Sequence, residues 1–125
     1  MRRFIIVLIA VLSFFGVSCQ AQEAFRSVDV AEFERAVADE NFVVLDVRTP
    51  EEHAEGHIAG TDFNIDVLSE GFTAEALAVL PKDRGVAVYC RSGNRSKRAA
   101  QILAENGYTV VELAVGYKGW VAAGK

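Results

Sequence analysis

A cysteine with four cationic neighbours is the part of this sequence best suited to chemistry. It opens the stretch CRSGNRS, which runs from Cys90 to Ser96, and the cations that follow within eight residues are Arg91, Arg95, Lys97 and Arg98. Nearby cations push a thiol toward the thiolate, which is its nucleophilic form. The pattern predicts a thiol that attacks an anionic or sulfur-containing substrate, and a buried inert cysteine is the alternative.

The segments around the thiol predict a loop between a strand and a helix. The apolar run VAVY (86–89) precedes Cys90, and a helix is predicted over 96–106, ended by Gly107. Unpaired N–H groups and the helix dipole favour an anion at such a helix start. Gly93 permits the sharp path of the loop. We expect the backbone of Arg91 to Ser96 to stabilise added negative charge.

The two arginines of the loop are expected to assist binding in different ways. Arg95 lies five residues after Cys90, so it can close the loop and face the bound anion. Arg91 is adjacent to the thiol and can contact substrate at the rim. Lys97 and Arg98 fall on the first helical turn, where they oppose the dipole, and a solvated charged face is the simpler interpretation for them.

The rest of the chain alternates between strand and helix patterns. Apolar, β-branched runs predict buried strands at 42–47 and 109–113, with a short strand in DFNID (62–66). Helices are predicted at 29–39, capped by Asp29 with Glu32, and at 49–56, capped by Thr49 with Glu52. Another helix is predicted after a Thr73 cap, and GYKGWVAAG is predicted to form a helical turn or short helix. Strands that are apolar on both faces predict an α/β domain, in which helices cover both faces of a central parallel sheet. Ligands bind beyond the carboxyl ends of such strands, where Cys90 lies.

The N-terminus has the features of an export signal. Arg2 and Arg3 precede the apolar run 4–15, and small residues follow. We predict a signal peptide over 1–22 and a folded domain over 23–125, with the protein exported to the periplasm or cell envelope. Cys19 is either the acylated cysteine of a lipoprotein or part of a cleavage site with small residues. An uncleaved anchor is disfavoured because the run is short for a membrane span.

Removal of this leader would leave an acidic body with one thiol. The remaining 11 Lys and Arg against 17 Asp and Glu give a net charge of −6. Such a charge does not favour nucleic acid or an acidic membrane surface, so a lipid on Cys19 is the only membrane contact expected. Cys90 would have no intramolecular disulfide partner and no CxxC motif, which favours a free reactive thiol or intermolecular pairing.

Several other residues are interpreted as structural. His53 and His57 are four apart, but Gly56 should break the helix between them and HAEGH is not H-E-x-x-H, so no metal site is expected. His57 is expected to anchor the GHIAG turn. Tyr117 and Trp120 are expected to pack the last segment onto the sheet, or to border the site.

Three motifs in order, LDVRTPEEHAEGHIAG, CRSGNRS and GYKGW, resemble the rhodanese family over nearly all of the chain after the leader. The resemblance is to small, exported, single-domain members. It implies a sulfurtransferase in which Cys90 takes a sulfane sulfur from a donor such as thiosulfate. The sulfur then passes to cyanide or a thiol, and no cofactor is needed. We expect the protein to be a monomer. Residues 91–96 (Arg91, Ser92, Gly93, Asn94, Arg95 and Ser96) would bind substrate, and Asp46 and Arg48 would brace the surrounding loops.

The resemblance leaves alternatives open. Related tyrosine phosphatases use C-x5-R, one residue longer than the C-x4-R from Cys90 to Arg95, which argues against a phosphatase. An arsenate reductase would need an external thiol, and a persulfide carrier without turnover also fits. The segment after GHIAG departs from the family, because Asp62 and Asp66 stand where smaller or less charged residues are common. We expect this departure to affect the donor preference.

Overall fold

The computed structural model describes residues 24–125. The predicted signal peptide over 1–22, with both proposed fates of Cys19, lies outside the described residues. Within residues 24–125, no helix is both long and apolar enough to cross a membrane.

Strands and helices alternate along the described chain. In order they are β1 (Arg26–Val28), α1 (Val30–Ala38), β2 (Phe42–Asp46), α2 (Pro50–Glu55), β3 (Phe63–Asn64), α3 (Phe72–Val79), β4 (Gly85–Tyr89), α4 (Asn94–Glu105), β5 (Val110–Leu113) and α5 (Gly116–Ala122). The strands form one sheet in the order β1-β5-β4-β2-β3. Every pair is parallel, which confirms the predicted sheet.

Helices cover both faces of this sheet, as predicted. Phe72 of α3 and Leu103 of α4 belong to the apolar cluster on one face. Phe33 of α1 and Trp120 of α5 belong to the cluster on the other face. Both sides of β2 and β4 are therefore apolar, which explains why their sequences are continuous apolar runs and do not alternate.

Two helices begin earlier than the sequence indicates. The α4 helix begins at Asn94, two residues before the predicted start, because Gly93 takes a left-handed conformation (φ 103°) immediately before it. The α3 helix begins at Phe72 after Gly71, without a side-chain cap, so the predicted Thr73 cap is wrong.

The first strand was not predicted, and it alters one predicted cap. Asp29 accepts a hydrogen bond from the Glu32 N–H at 2.9 Å, as expected. The Glu32 carboxylate, however, pairs with Arg26 of β1, so the predicted contribution of Glu32 to a capping box is wrong. The box predicted for α2 is present, with Thr49 and Glu52 bonded in both directions.

Candidate active site

The Cys90 thiol lies at the carboxyl end of β4, under the first turn of α4. The residue is only 1% exposed. The Gly93 N–H donates to Sγ at 3.1 Å, and Sγ lies 3.4 Å from the Ser96 hydroxyl oxygen. The strand end and the helix start therefore converge on the sulfur, as the sequence predicted.

This environment favours the thiolate. Burial raises the pKa of Cys90, but hydrogen bonding with the Ser96 side chain and with the N–H groups of Ser96, Gly93 and Ser92 outweighs burial, so the pKa lies below its ordinary value. N–H groups aimed at a sulfur stabilise negative charge on it. A persulfide or an anionic donor at the same place would be stabilised in the same way.

The path of the loop requires glycine at position 93. Its φ of +103° is one that other residues rarely adopt, and a Cβ there would lie 2.2 Å from the Ala114 carbonyl oxygen. The Lys97 ammonium donates to the Gly93 carbonyl at 3.2 Å. The loop backbone therefore packs directly against the end of β5.

The start of α5 supports the loop from the other side. The Tyr117 N–H donates to the Cys90 carbonyl at 2.8 Å, and the Lys118 N–H donates to the Arg91 carbonyl at 3.0 Å. Gly116 allows this approach, since a Cβ there would lie 2.3 Å from the Arg91 oxygen. The Trp120 side chain is buried in the core. The segment GYKGW thus positions the loop through backbone contacts.

Arg95 is placed differently from the expectation that it faces a bound anion. Its guanidinium donates to both Glu52 carboxylate oxygens, at 2.8 and 2.9 Å. This pair lowers the pKa of Glu52 to about 2 and raises that of Arg95. Arg95 therefore links the loop to α2, and it contributes positive charge near Cys90 while both of its terminal nitrogens are bonded to Glu52.

Asp46 and Arg48 form a buried network between the end of β2 and α2. Arg48 donates to the two Asp46 carboxylate oxygens at 2.9 and 2.7 Å and to the Gly56 carbonyl at 2.7 Å. His53 Nδ1 lies 3.0 Å from Asp46 Oδ2. Burial lowers the pKa of Arg48, but its bond and charge interaction with Asp46 outweigh this, so the pKa is raised. The network holds the segment between β2 and α2 in place beside the loop that follows Cys90.

The two histidines and the two unexpected aspartates have structural contacts. His57 Nδ1 lies 2.9 Å from the His53 carbonyl, and the two imidazole rings stack with centroids 3.9 Å apart. Asp62 accepts a bond from the Val44 N–H at 2.8 Å. Asp66 accepts one from the Leu68 N–H at 2.9 Å. These aspartates therefore satisfy backbone donors at the sheet edge and in a turn.

A cavity of about 330 Å³ lies beside the loop. Its walls include Arg91 and Lys118, both exposed cations, and the ring of Tyr117. The Arg48 guanidinium lies 4.7 Å from the centre of that ring. Glu52 and Glu55 also line this cavity, whereas Cys90 does not. Ser92 and Asn94 of the loop are exposed, whereas Gly93 and Ser96 are buried.

Glu112 is a residue near the thiol that the sequence interpretation missed. It lies in β5, is 0% exposed, and accepts a hydrogen bond from Ser96 at 2.5 Å. The available signal was a single carboxylate inside the run TVVEL. A central parallel strand is buried on both faces, so a carboxylate within it must find internal partners.

The family was identified by comparison with known proteins. The family model for the rhodanese-like domain matches residues 29–123. This chain therefore belongs to the rhodanese-like family, as its sequence motifs indicated.

Individual relatives agree with this assignment. A thiosulfate sulfurtransferase, PspE, of Escherichia coli is 45% identical over 74 residues, covering 59% of this chain and 69% of that protein. A sulfurtransferase of Allochromatium vinosum is 34% identical over 101 residues, covering 79% and 91%. The crystal structure of a rhodanese-related protein from Thermoplasma volcanium superposes with a TM-score of 0.69 at 32% identity, covering 80% and 94%.

Proposed function

We propose that this protein is a sulfurtransferase that moves a sulfane sulfur from thiosulfate, or a similar donor, to a thiophilic acceptor through a persulfide on Cys90. The observation that carries the proposal is the position of the Cys90 sulfur. It accepts the Gly93 N–H at 3.1 Å within a loop that opens α4. The relatives named sulfurtransferase support the same reaction class.

The proposed cycle has two balanced half-reactions. The Cys90 thiolate attacks the outer sulfur of thiosulfate, the sulfur–sulfur bond of the donor breaks, and its electron pair leaves on sulfite. Cyanide or a thiol then attacks the terminal sulfur of the persulfide, and the Cys90 thiolate leaves as the nucleophile for the next cycle. The cycle needs no metal or organic cofactor.

The residues around Cys90 would have different roles in charge stabilisation and in recognition of the donor. The backbone N–H groups of the loop would stabilise the charge on the donor and the persulfide. Arg91 and Lys118 at the cavity wall would attract the anionic donor. Arg95 and the Asp46–Arg48 pair would hold the loops in place.

The proposal includes an exported monomer, with its leader removed. Mass spectrometry of the N-terminus of protein purified from the producing cell distinguishes a diacylglyceryl Cys19 from a free residue near Gln22. An N-terminus that retains residues 1–22 would contradict both forms of processing.

The test of the function is the intact mass of the purified protein after thiosulfate and again after cyanide. We expect the gain of one sulfur atom, its loss with release of thiocyanate, and no gain in Cys90→Ser. Repeated turnover would distinguish an enzyme from a persulfide carrier. If the free Cys90 thiol gains no sulfur, the thiosulfate donor is excluded.

A further inference from the structure

The buried carboxylate of Glu112 needs an explanation beyond packing. It lies on the side of β5 that faces α4, two residues after Val110 of the same apolar cluster. Its register partners are Ser27 in β1 and Val88 in β4. A buried carboxylate is costly unless hydrogen bonds and charge compensate it. An apolar residue would have filled this site without that requirement.

The partners of Glu112 lead directly to the reactive sulfur. The Ser96 hydroxyl donates to Glu112 Oε2. The same hydroxyl oxygen accepts from the Cys90 thiol, 3.4 Å away. The three groups therefore form a chain in which each donor points toward the carboxylate. Ser96, like Glu112, is fully buried.

The remaining contacts of the carboxylate hold it in place. Ser27 donates to Oε1, and the Lys97 ammonium lies 3.5 Å from the same oxygen. Oε2 is thus left for Ser96 alone. Further charges near the thiol include Arg91, which follows Cys90 in the chain, and Arg95, which is paired with Glu52. These cations stabilise a thiolate but cannot accept its proton.

We propose that Glu112 accepts the proton of the Cys90 thiol through the Ser96 hydroxyl. The S–H bond breaks and its proton binds the Ser96 oxygen, while the proton of Ser96 moves to Glu112 Oε2. The sulfur keeps the electron pair, and the Ser96 hydroxyl now donates to the thiolate. No oxidant or reductant is involved. The proton stays on Glu112 until the acceptor releases the Cys90 thiolate, and it then returns to the sulfur along the same path.

Glu112 is thus a positioning residue, which acts on the sulfur through Ser96. The relay rests on the proposed function, since both require Cys90 as the nucleophile. The relay also predicts an unusual pH dependence of Cys90 reactivity. While one proton is shared between the thiol and the carboxylate, the thiolate fraction depends on where that proton lies in the chain and does not change with pH. A thiol that loses its proton to water becomes about tenfold less reactive for each pH unit below its pKa.

The experiment measures the rate of alkylation of Cys90 by iodoacetamide against pH, in the full chain. Peptide mass spectrometry follows Cys90 separately from Cys19. In the wild type we expect a plateau at low pH. In Glu112→Gln and in Ser96→Ala we expect the plateau to be lost and the rate to fall about tenfold per unit. The exposed control Glu75→Gln should keep the plateau.

Two outcomes would overturn the relay. If Glu112 acts only as a nearby negative charge, Glu112→Gln will react faster than the wild type at every pH. If it only supports packing, the variant will be less stable but its pH profile will be unchanged. Should Glu112→Gln fail to fold, Ser96→Ala decides the question, because it leaves the Ser27 and Lys97 contacts of the carboxylate intact.

A parallel measurement separates this inference from the proposed function. The rate of sulfur loading from thiosulfate should fall at least about tenfold at neutral pH in Glu112→Gln and recover at alkaline pH. The donor KM should not change, since Glu112 does not touch the donor. A wild type that shows the alkylation plateau but never gains sulfur would contradict the function and leave the relay standing.

Discussion

Arg95 and Glu52 form a two-point ion pair, with Nη1–Oε1 and Nη2–Oε2 distances of 2.8 and 2.9 Å, that joins the cysteine loop to α2. The residues are 43 positions apart. Glu52 also accepts from the Thr49 N–H at 3.1 Å, so one carboxylate completes a helix cap and holds the loop. The stability of α2 and the position of the loop are therefore coupled.

This ion pair should make stability depend on pH. The folded-state pKa of Glu52 is about 2, below its ordinary value of 4.5. The contribution of Glu52 is therefore complete above its ordinary pKa and is lost as the pH falls toward 2. Because the pair is partly exposed, we expect about 1 kcal/mol. Urea unfolding of wild type and Glu52→Gln between pH 6 and pH 2 measures it.

The matched control for this prediction is Glu51→Gln, which removes an exposed carboxylate from the same helical turn. A stability difference between wild type and Glu52→Gln that stays constant from pH 6 to pH 2 would contradict the assignment.

Substitution of Gly93 should disrupt the loop. In Gly93→Ala the new Cβ would meet the Ala114 carbonyl and the residue would remain at φ +103°. We expect a loss of about 1–3 kcal/mol in the free energy of unfolding and slower alkylation of Cys90, since the Gly93 N–H moves away from the sulfur. Gly71→Ala has no atom within 4 Å of its Cβ and should change neither quantity. Equal losses in both variants would contradict this explanation.

Removal of Arg48 should be costly because it leaves a charge without its partner. Arg48 is 4% exposed and Asp46 is 0% exposed. In Arg48→Met we expect a loss of about 3–5 kcal/mol in the free energy of unfolding, measured with denaturant. Arg26→Met breaks an exposed pair with Glu32 and should cost at most about 1 kcal/mol. A small loss in Arg48→Met would mean that Asp46 is compensated by other groups.

Arg91 should contribute to donor binding more than to the chemical step. The side chain is exposed at the cavity wall, so its attraction for thiosulfate is screened by salt. In Arg91→Gln we expect the KM for thiosulfate to rise about threefold to tenfold at low salt, with kcat little changed and a smaller effect at high salt. Lys82→Gln, which removes a cation beside Tyr108, should leave the KM unchanged.

Local sequence patterns predicted most of the secondary structure because helix caps and apolar runs involve residues that are close together in the chain. The Thr49–Glu52 cap joins residues three apart, and it was recognisable from spacing and residue type. The apolar runs of β2 and β4 likewise indicated a buried parallel sheet with Cys90 at its carboxyl end. β1 was missed because its three residues, only one of them buried, carry no such pattern.

The sequence by itself therefore determined the α/β class, the loop around Cys90 and the family. Only the tertiary structure decided which side chains meet that loop. Glu112 reaches Ser96 across 16 positions and Ser27 across 85, and Arg95 meets Glu52 across 43. Such contacts depend on the order of strands in the sheet, which brings β1 and β5 together and aligns their side chains. The spacing of residues along the chain does not indicate the order of strands in the sheet.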